Sequence, residues 1–111
     1  MKAVKGSGNV FSDIGFGPLE ADELAVKADL ITLLVRAMRR RKLTQKKAAD
    51  LCGTDQPTLS KIISGKLDSV TIDRLAKWLV ALGSNVRINV SAPKAATHKR
   101  KFKGEMRVVA D

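Results

Sequence analysis

The sequence predicts an all-α fold of four to five helices with a C-terminal β-strand extension. Apolar residues recur at spacings of three and four along two long stretches, which is the period of an α-helix with one buried face. Residues that cap helices precede three helical stretches, and a glycine follows each of these three. With 111 residues and an apolar fraction of 44%, the chain can form one small domain around one core.

The first helix is predicted from about Leu19 to near Arg41. Its apolar residues follow one another at spacings of four, three, four and three, and acidic residues near its start and basic residues near its end suit the helix macrodipole. Residues 1–18 contain four glycines and show no sustained period, so we expect an N-terminal arm. The apolar residues that would dock this arm on the domain are Val10, Phe11, Ile14 and Phe16.

Two short helices joined by a glycine are predicted next. Thr44 is expected to cap a helix over Gln45–Cys52, because its hydroxyl can accept a hydrogen bond from a free backbone N–H of the first turn. Gly53 can adopt the left-handed conformation that ends a helix and turns the chain sharply. Asp55 is expected to cap the following helix, which runs to about Ser64.

A fourth helix and a strand complete the predicted elements. The helix is capped by Thr71, stopped by Gly83 and apolar along one face. The segment Val86–Val90 then alternates β-branched and polar residues with the period of a strand. Because one strand is not stable alone, this segment is expected to pair with Arg107–Val109 or with its own copy across a two-fold axis.

Composition excludes several classes of protein. No apolar run approaches the roughly 18 residues of a membrane span and no signal-peptide pattern is present, so we expect a cytoplasmic protein with no membrane partner. One cysteine, Cys52, and one histidine, His98, provide neither an internal disulfide nor a metal cluster. No nucleophile has a nearby base and no glycine-rich phosphate loop occurs, so we expect neither an enzyme nor a cofactor.

The net charge of +10 is concentrated in two parts of the chain. Residues 1–35 carry three basic and five acidic residues, whereas residues 36–66 carry nine basic and two acidic, and residues 91–111 carry six basic and two acidic. A polyanion is the expected partner of such blocks, because lysine and arginine neutralise phosphates and release counterions. On charge alone, a solvated surface is the alternative. With four aromatic residues and no tyrosine, stacking on single-stranded bases is disfavoured.

The segment Thr44–Lys66 resembles, without a gap, the helix-turn-helix of the Xre/Cro-type repressor family. In that family a Thr-Gln pair opens the second helix, a small alanine packs inside it, a glycine makes the turn and a Ser-Gln-like pair opens the recognition helix. The resemblance extends over about residues 10–90, where the chain is similar to the subgroup of HigA-like antitoxins. The residues that fill the family's positions are Thr44, Gln45, Ala49, Gly53, Asp55 and Gln56.

The resemblance implies two classes of DNA contact. Gln56, Pro57, Thr58 and Lys61 would reach base edges, because a glutamine amide fits adenine, a proline can touch a thymine methyl and a lysine can donate to guanine. Three of the implied contact residues have a structural alternative: Gln45 as a cap, Thr58 bonded to its own backbone, and Lys61 as a solvated surface lysine. The residues implied to contact phosphates are Gln45, Ser60, Ser64 and Lys66, and those implied to pack inward are Leu59, Ile62 and Ile63.

Three residues depart from the family's pattern. Asp55 replaces a small hydroxyl cap and brings a negative charge towards the DNA, although it caps a helix equally well. Thr54 stands in place of a branched apolar residue and Cys52 in place of leucine. Cys52 is predicted to be a small buried residue with a raised thiol pKa and not a redox sensor.

These observations predict a sequence-specific, double-stranded DNA-binding transcriptional regulator. We expect a repressor that binds a pseudo-palindromic operator as a homodimer, because one short recognition helix discriminates poorly between sequences. The resemblance implies the antitoxin of a type II toxin-antitoxin pair, with a toxin as protein partner, and a stand-alone Xre-type regulator is the alternative. The expected units are an arm at 1–18, the helix-turn-helix domain at 19–83, and a strand with a basic tail at 84–111 that serves in dimerisation.

Overall fold

A computed structural model describes residues 2–3, 15, 17–92 and 104–110. Four α-helices account for most of these residues, and two short strands lie near the ends of the chain. None of the described helices is both long and apolar enough to span a membrane. The elements are β1 (Lys2–Ala3), α1 (Pro18–Arg40), α2 (Gln45–Cys52), α3 (Gln56–Ile63), a 3-10 helix (Leu67–Ser69), α4 (Ile72–Ala81) and β2 (Val109–Ala110).

The capping residues define where the three shorter helices begin. Thr44, Asp55 and Thr71 each accept a hydrogen bond from the backbone N–H three residues later, at 3.1, 2.7 and 3.1 Å. Each bond satisfies one N–H that has no partner within its helix. All four predicted helices are therefore confirmed, with ends within two residues of those expected.

One hydrophobic core holds the helices together. The long helix α1 packs chiefly against α4, and α2 packs against α3. Apolar side chains from all four helices meet between them, so that burial of apolar surface stabilises their arrangement. The large side chains that are fully buried are Leu34, Leu59, Ile62, Leu75 and Leu82.

The predicted strand Val86–Val90 is wrong for this chain as a single molecule. The segment has no regular secondary structure, and the side chains of Ile88 and Val90 are each 88% exposed. The physical reason is that no strand lies beside it within the described parts of the chain, so its backbone has no ladder to join. The C-terminal strand is instead Val109–Ala110, which pairs antiparallel with Lys2–Ala3.

Residues 104–110 pack against the first half of α1. The backbone N–H of Met106 donates a hydrogen bond of 2.9 Å to the Asp22 carboxylate, and the half-buried Val108 contacts the core. The sequence predicted that acidic residues near the start of this helix interact with its macrodipole. One of them, Asp22, is instead buried beneath residues 104–110. The anchor residues predicted in the arm and His98 lie outside the described residues.

Asp29 is a buried carboxylate on α1, and burial raises its pKa. Its folded-state pKa therefore lies above its unfolded value, so the ionised group destabilises the fold at neutral pH, and this penalty disappears as the pH falls through the folded-state pKa. We expect Asp29→Asn to raise the melting temperature at neutral pH and to lose this advantage in acid. Thermal unfolding at both pH values checks the prediction, which a wild type more stable than the variant at neutral pH would contradict.

Candidate nucleic-acid interface

The sharp turn between α2 and α3 depends on Gly53. Its φ of 73° lies in the left-handed region, and its backbone N–H reaches the carbonyl oxygens of Ala49 and Asp50. The next N–H, that of Thr54, donates to the Ala49 carbonyl at 3.0 Å. These bonds satisfy two of the last carbonyls of α2, and α3 begins at Gln56 after a turn of three residues.

The two helices are held together through their inner faces. Ala48 and Ala49 of α2 are buried, and their small side chains allow the two helices to approach closely. Leu59 and Ile62 of α3 are also buried, and Ile63 is half-buried against the core. The prediction that these three residues of α3 pack inward is therefore confirmed.

The outer face of α3 carries the side chains predicted to contact bases. Gln56, Pro57 and Lys61 are exposed, and Thr58 is half-buried. Pro57 and Lys61 are four residues apart and thus lie on one side of the helix. The buried Leu59 and Ile62 lie on the other side. The backbone N–H of Thr58 donates to Asp55, whereas no described partner holds the Lys61 ammonium group.

The residues predicted to contact phosphates lie at both ends of this face. Gln45, at the start of α2, accepts a 3.5 Å hydrogen bond from the Gln56 amide, which joins the N-termini of α2 and α3. Lys66 is exposed in the loop after α3. Ser64 is exposed but its hydroxyl already donates to the Lys61 carbonyl at 2.8 Å, and Ser60 is half-buried.

The cap of α3 carries a full negative charge. Hydrogen bonds from Thr58, together with the positive charges of Lys61 and Arg74, lower the pKa of the Asp55 carboxyl. Asp55 is therefore ionised at neutral pH and lies beside the face that carries Lys61. The negative charge suits the positive end of the helix macrodipole, which gives this departure from the family pattern a structural reason.

The loop after α3 is fixed by a buried lysine. Lys27 of α1 donates from Nζ to the carbonyl of Leu67 at 3.1 Å and forms an ion pair with Glu23 at 3.4 Å. Lys27 is 7% exposed, so its ammonium group requires both partners. This contact positions the segment that includes Lys66 relative to the long helix, and sequence periodicity gave no sign of it.

Cys52 is half-buried at the end of α2. Its thiol lies 3.9 Å from the carbonyl oxygen of Trp78, and burial raises its pKa as predicted. At neutral pH the group is therefore a thiol with a structural contact to α4, and not a reactive thiolate. Among the described residues, no three histidine, cysteine, aspartate or glutamate side chains lie together as a metal site would require.

Comparisons with known proteins agree with this geometry. A family model described as a helix-turn-helix domain matches residues 10–91, which include all four helices. The chain is similar to a solved structure named "Putative XRE Family Transcriptional Regulator", with a TM-score of 0.73 and 28% sequence identity. This similarity covers 83% of the present chain and 99% of the other, and no curated protein matches in sequence. The four helices, the glycine turn and the family match together show that the chain belongs to the helix-turn-helix domain family.

Proposed function

We propose that the protein is a transcriptional repressor that binds a specific sequence of double-stranded DNA. One observation carries the proposal: α3 presents an exposed polar face on a helix whose opposite side packs against α2 and the core. A helix held in this way can enter the major groove, where each base pair displays a distinct pattern of donors and acceptors. The name of the similar solved structure supports a role in transcription.

Within this proposal, two groups of side chains have different tasks. Gln56, Pro57, Thr58 and Lys61 contact base edges, since the first three begin α3 and Lys61 lies on its exposed side one turn later. Phosphate contacts fix the register of the helix without reading the sequence. The residues assigned to them are Gln45, Ser60, Ser64 and Lys66.

A reporter gene tests repression directly. The promoter carries the duplex that the protein binds best from a random pool, and we expect expression of the chain to lower reporter output. Scrambling the duplex should abolish the effect. Unchanged or increased output on the intact duplex would contradict the repressor role.

The unpaired segment Val86–Val90 supports a homodimer. Antiparallel pairing of two copies centred on Ile88 would place Val86 opposite Val90 and Arg87 opposite Asn89. The two arginines would then not face each other, and six β-branched side chains would lie on one face of the pair. Such pairing would bring into contact the apolar side chains of Ile88 and Val90, which are almost fully exposed in the single chain.

We extend the proposal to the antitoxin of a toxin-antitoxin pair, on the basis of the family resemblance and the acidic first third of the chain. Glu20 of α1 is exposed and available to a basic toxin, whereas Glu23 is paired with Lys27, and Asp22 and Asp29 are buried. Deleting residues 1–18 together with Glu20→Gln should weaken neutralisation of a toxin encoded beside this gene yet leave DNA affinity nearly unchanged. Full rescue by a truncated chain of unaltered melting temperature would contradict this division, and a chain with no toxin partner would be a stand-alone regulator.

A further inference from the structure

Six exposed basic side chains surround the turn between α1 and α2. No acidic residue occurs among residues 39–47, and no ion pair involves any of the six within the described chain. Like charges at this density repel one another and oppose folding. This cluster, the basic ridge, consists of Arg39, Arg40, Arg41, Lys42, Lys46 and Lys47.

The helices themselves explain only part of the basic ridge. Arg39 and Arg40 lie in the last turn of α1, where the negative end of the macrodipole favours cations. Lys46 and Lys47 lie in the first turn of α2, where the positive end favours acids instead. These two lysines therefore weaken the helix that contains them, and their presence needs another reason.

The backbone conformation at position 42 is unfavourable for a lysine. Its φ of 54° lies in the left-handed region, which glycine adopts without steric cost and lysine does not. The turn is closed by a bond of 2.9 Å from the Leu43 N–H to the Met38 carbonyl, as at many helix ends that carry glycine at this position. A lysine here adds a positive charge at the expense of backbone strain.

The basic ridge lies beside the proposed DNA-reading face. Lys42 is three residues from Gln45, so their Cα atoms are at most about 11 Å apart. The Gln45 side chain in turn reaches Gln56 at the start of α3. The basic ridge thus flanks the N-terminal end of α3, and Lys66 flanks its other end.

We propose that the basic ridge binds backbone phosphates of the DNA outside the base pairs that α3 reads. This inference rests on the proposed function and adds a second contact region, one that follows the sugar-phosphate backbone whatever the sequence. Binding there releases counterions, so the basic ridge supplies a large part of the salt dependence of affinity. Phosphates also neutralise the repulsion that the six cations exert in the free chain.

The test is the salt dependence of binding by the full chain. Lys46→Gln/Lys47→Gln is compared with Lys77→Gln/Arg107→Gln, which removes the same charge from exposed positions outside the basic ridge. Fluorescence anisotropy gives the affinity for the best-bound duplex from a random pool, and for its scrambled sequence, at several salt concentrations. For the variant in the basic ridge, we expect the slope of log affinity against log salt to decrease by about 0.9 for each phosphate that the variant no longer neutralises. The control should keep the slope of the wild type.

A second variant separates binding from stability. Lys42→Gly removes a charge and the backbone strain together, so we expect a higher melting temperature and a shallower salt slope in the same protein. The role of the basic ridge would be overturned if the salt slope were unchanged in both of its variants, or if the control showed an equal decrease. Neither of these results would affect the preference for the selected sequence. Equal wild-type affinity for the selected and scrambled duplexes would instead contradict the proposed sequence-specific function, and the slopes on scrambled DNA would still decide the role of the basic ridge.

Discussion

Replacing Gln56 or Lys61 with alanine should change which bases the protein prefers and lower affinity for the best site by about 1–3 kcal/mol each. Both side chains are exposed on α3, where their donors and acceptors can reach base edges. Lys66→Ala should instead weaken binding to all sequences alike, because in the proposed complex the exposed Lys66 contacts the sugar-phosphate backbone.

Affinities for the best site and for its single-base variants distinguish these two effects. For Gln56→Ala, the ranking of the variants should change at one or two positions and remain the same elsewhere. For Lys66→Ala, every affinity should fall by a similar factor and the ranking should persist. Equal, uniform losses in both proteins would contradict the assignment of the base-reading face.

Replacing Ile88 with lysine should abolish the homodimer and lower affinity for a two-half-site operator by about 100- to 10,000-fold. In the proposed pairing the two Ile88 side chains face each other, so the variant would place two positive charges together. The fold of each chain should be unaffected, because Ile88 is 88% exposed and lies outside the hydrophobic core. Ile88→Val is the matched control, since it keeps a β-branched apolar side chain at the same position.

Sedimentation at micromolar concentration, with and without operator DNA, measures this effect. The wild type and Ile88→Val should sediment as dimers, and Ile88→Lys as a folded monomer. A wild type that stays monomeric on the operator would contradict pairing through Val86–Val90, and so would a lysine variant that remains dimeric.

Local residues determine most of the helical part of the fold, which is why the sequence predicted it well. Each capping side chain accepts a hydrogen bond from an N–H group only three residues away, as at Thr44, Asp55 and Thr71. Gly53 provides the left-handed conformation of the turn in which it lies. The family resemblance then implied which side of α3 is buried. None of these features requires knowledge of distant contacts.

Contacts between distant residues explain what the sequence did not predict. Asp22 bonds to Met106, 84 residues away, and Lys27 bonds to the carbonyl of Leu67, 40 residues away. The helical spacing and the negative charge of Asp22 predicted a favourable interaction with the helix dipole. Neither feature indicates that a later segment of the chain covers this residue. The prediction that Val86–Val90 pairs within one chain failed for the same reason, because alternation of apolar and polar residues does not identify a partner strand.

The candidate site was predicted in part. Residue spacing and family resemblance placed Gln56 and Lys61 on the outer face of α3, and the structure brings Gln56 against Gln45. The charge count located a basic block at 36–66 but did not separate the cations that suit a helix end from those that oppose it. Helix bounds and the left-handed φ of Lys42 were needed for that distinction.

Selection of bound sequences from a pool of random duplexes tests the central claim most directly. If α3 reads bases and two copies act together, the full chain should enrich a pseudo-palindromic motif whose half-sites are centred roughly 34 Å apart. A protein with both Gln56→Ala and Lys61→Ala should enrich a different or weaker motif from the same pool. Failure of the wild type to enrich any sequence, or an unchanged motif in the double variant, would contradict the account.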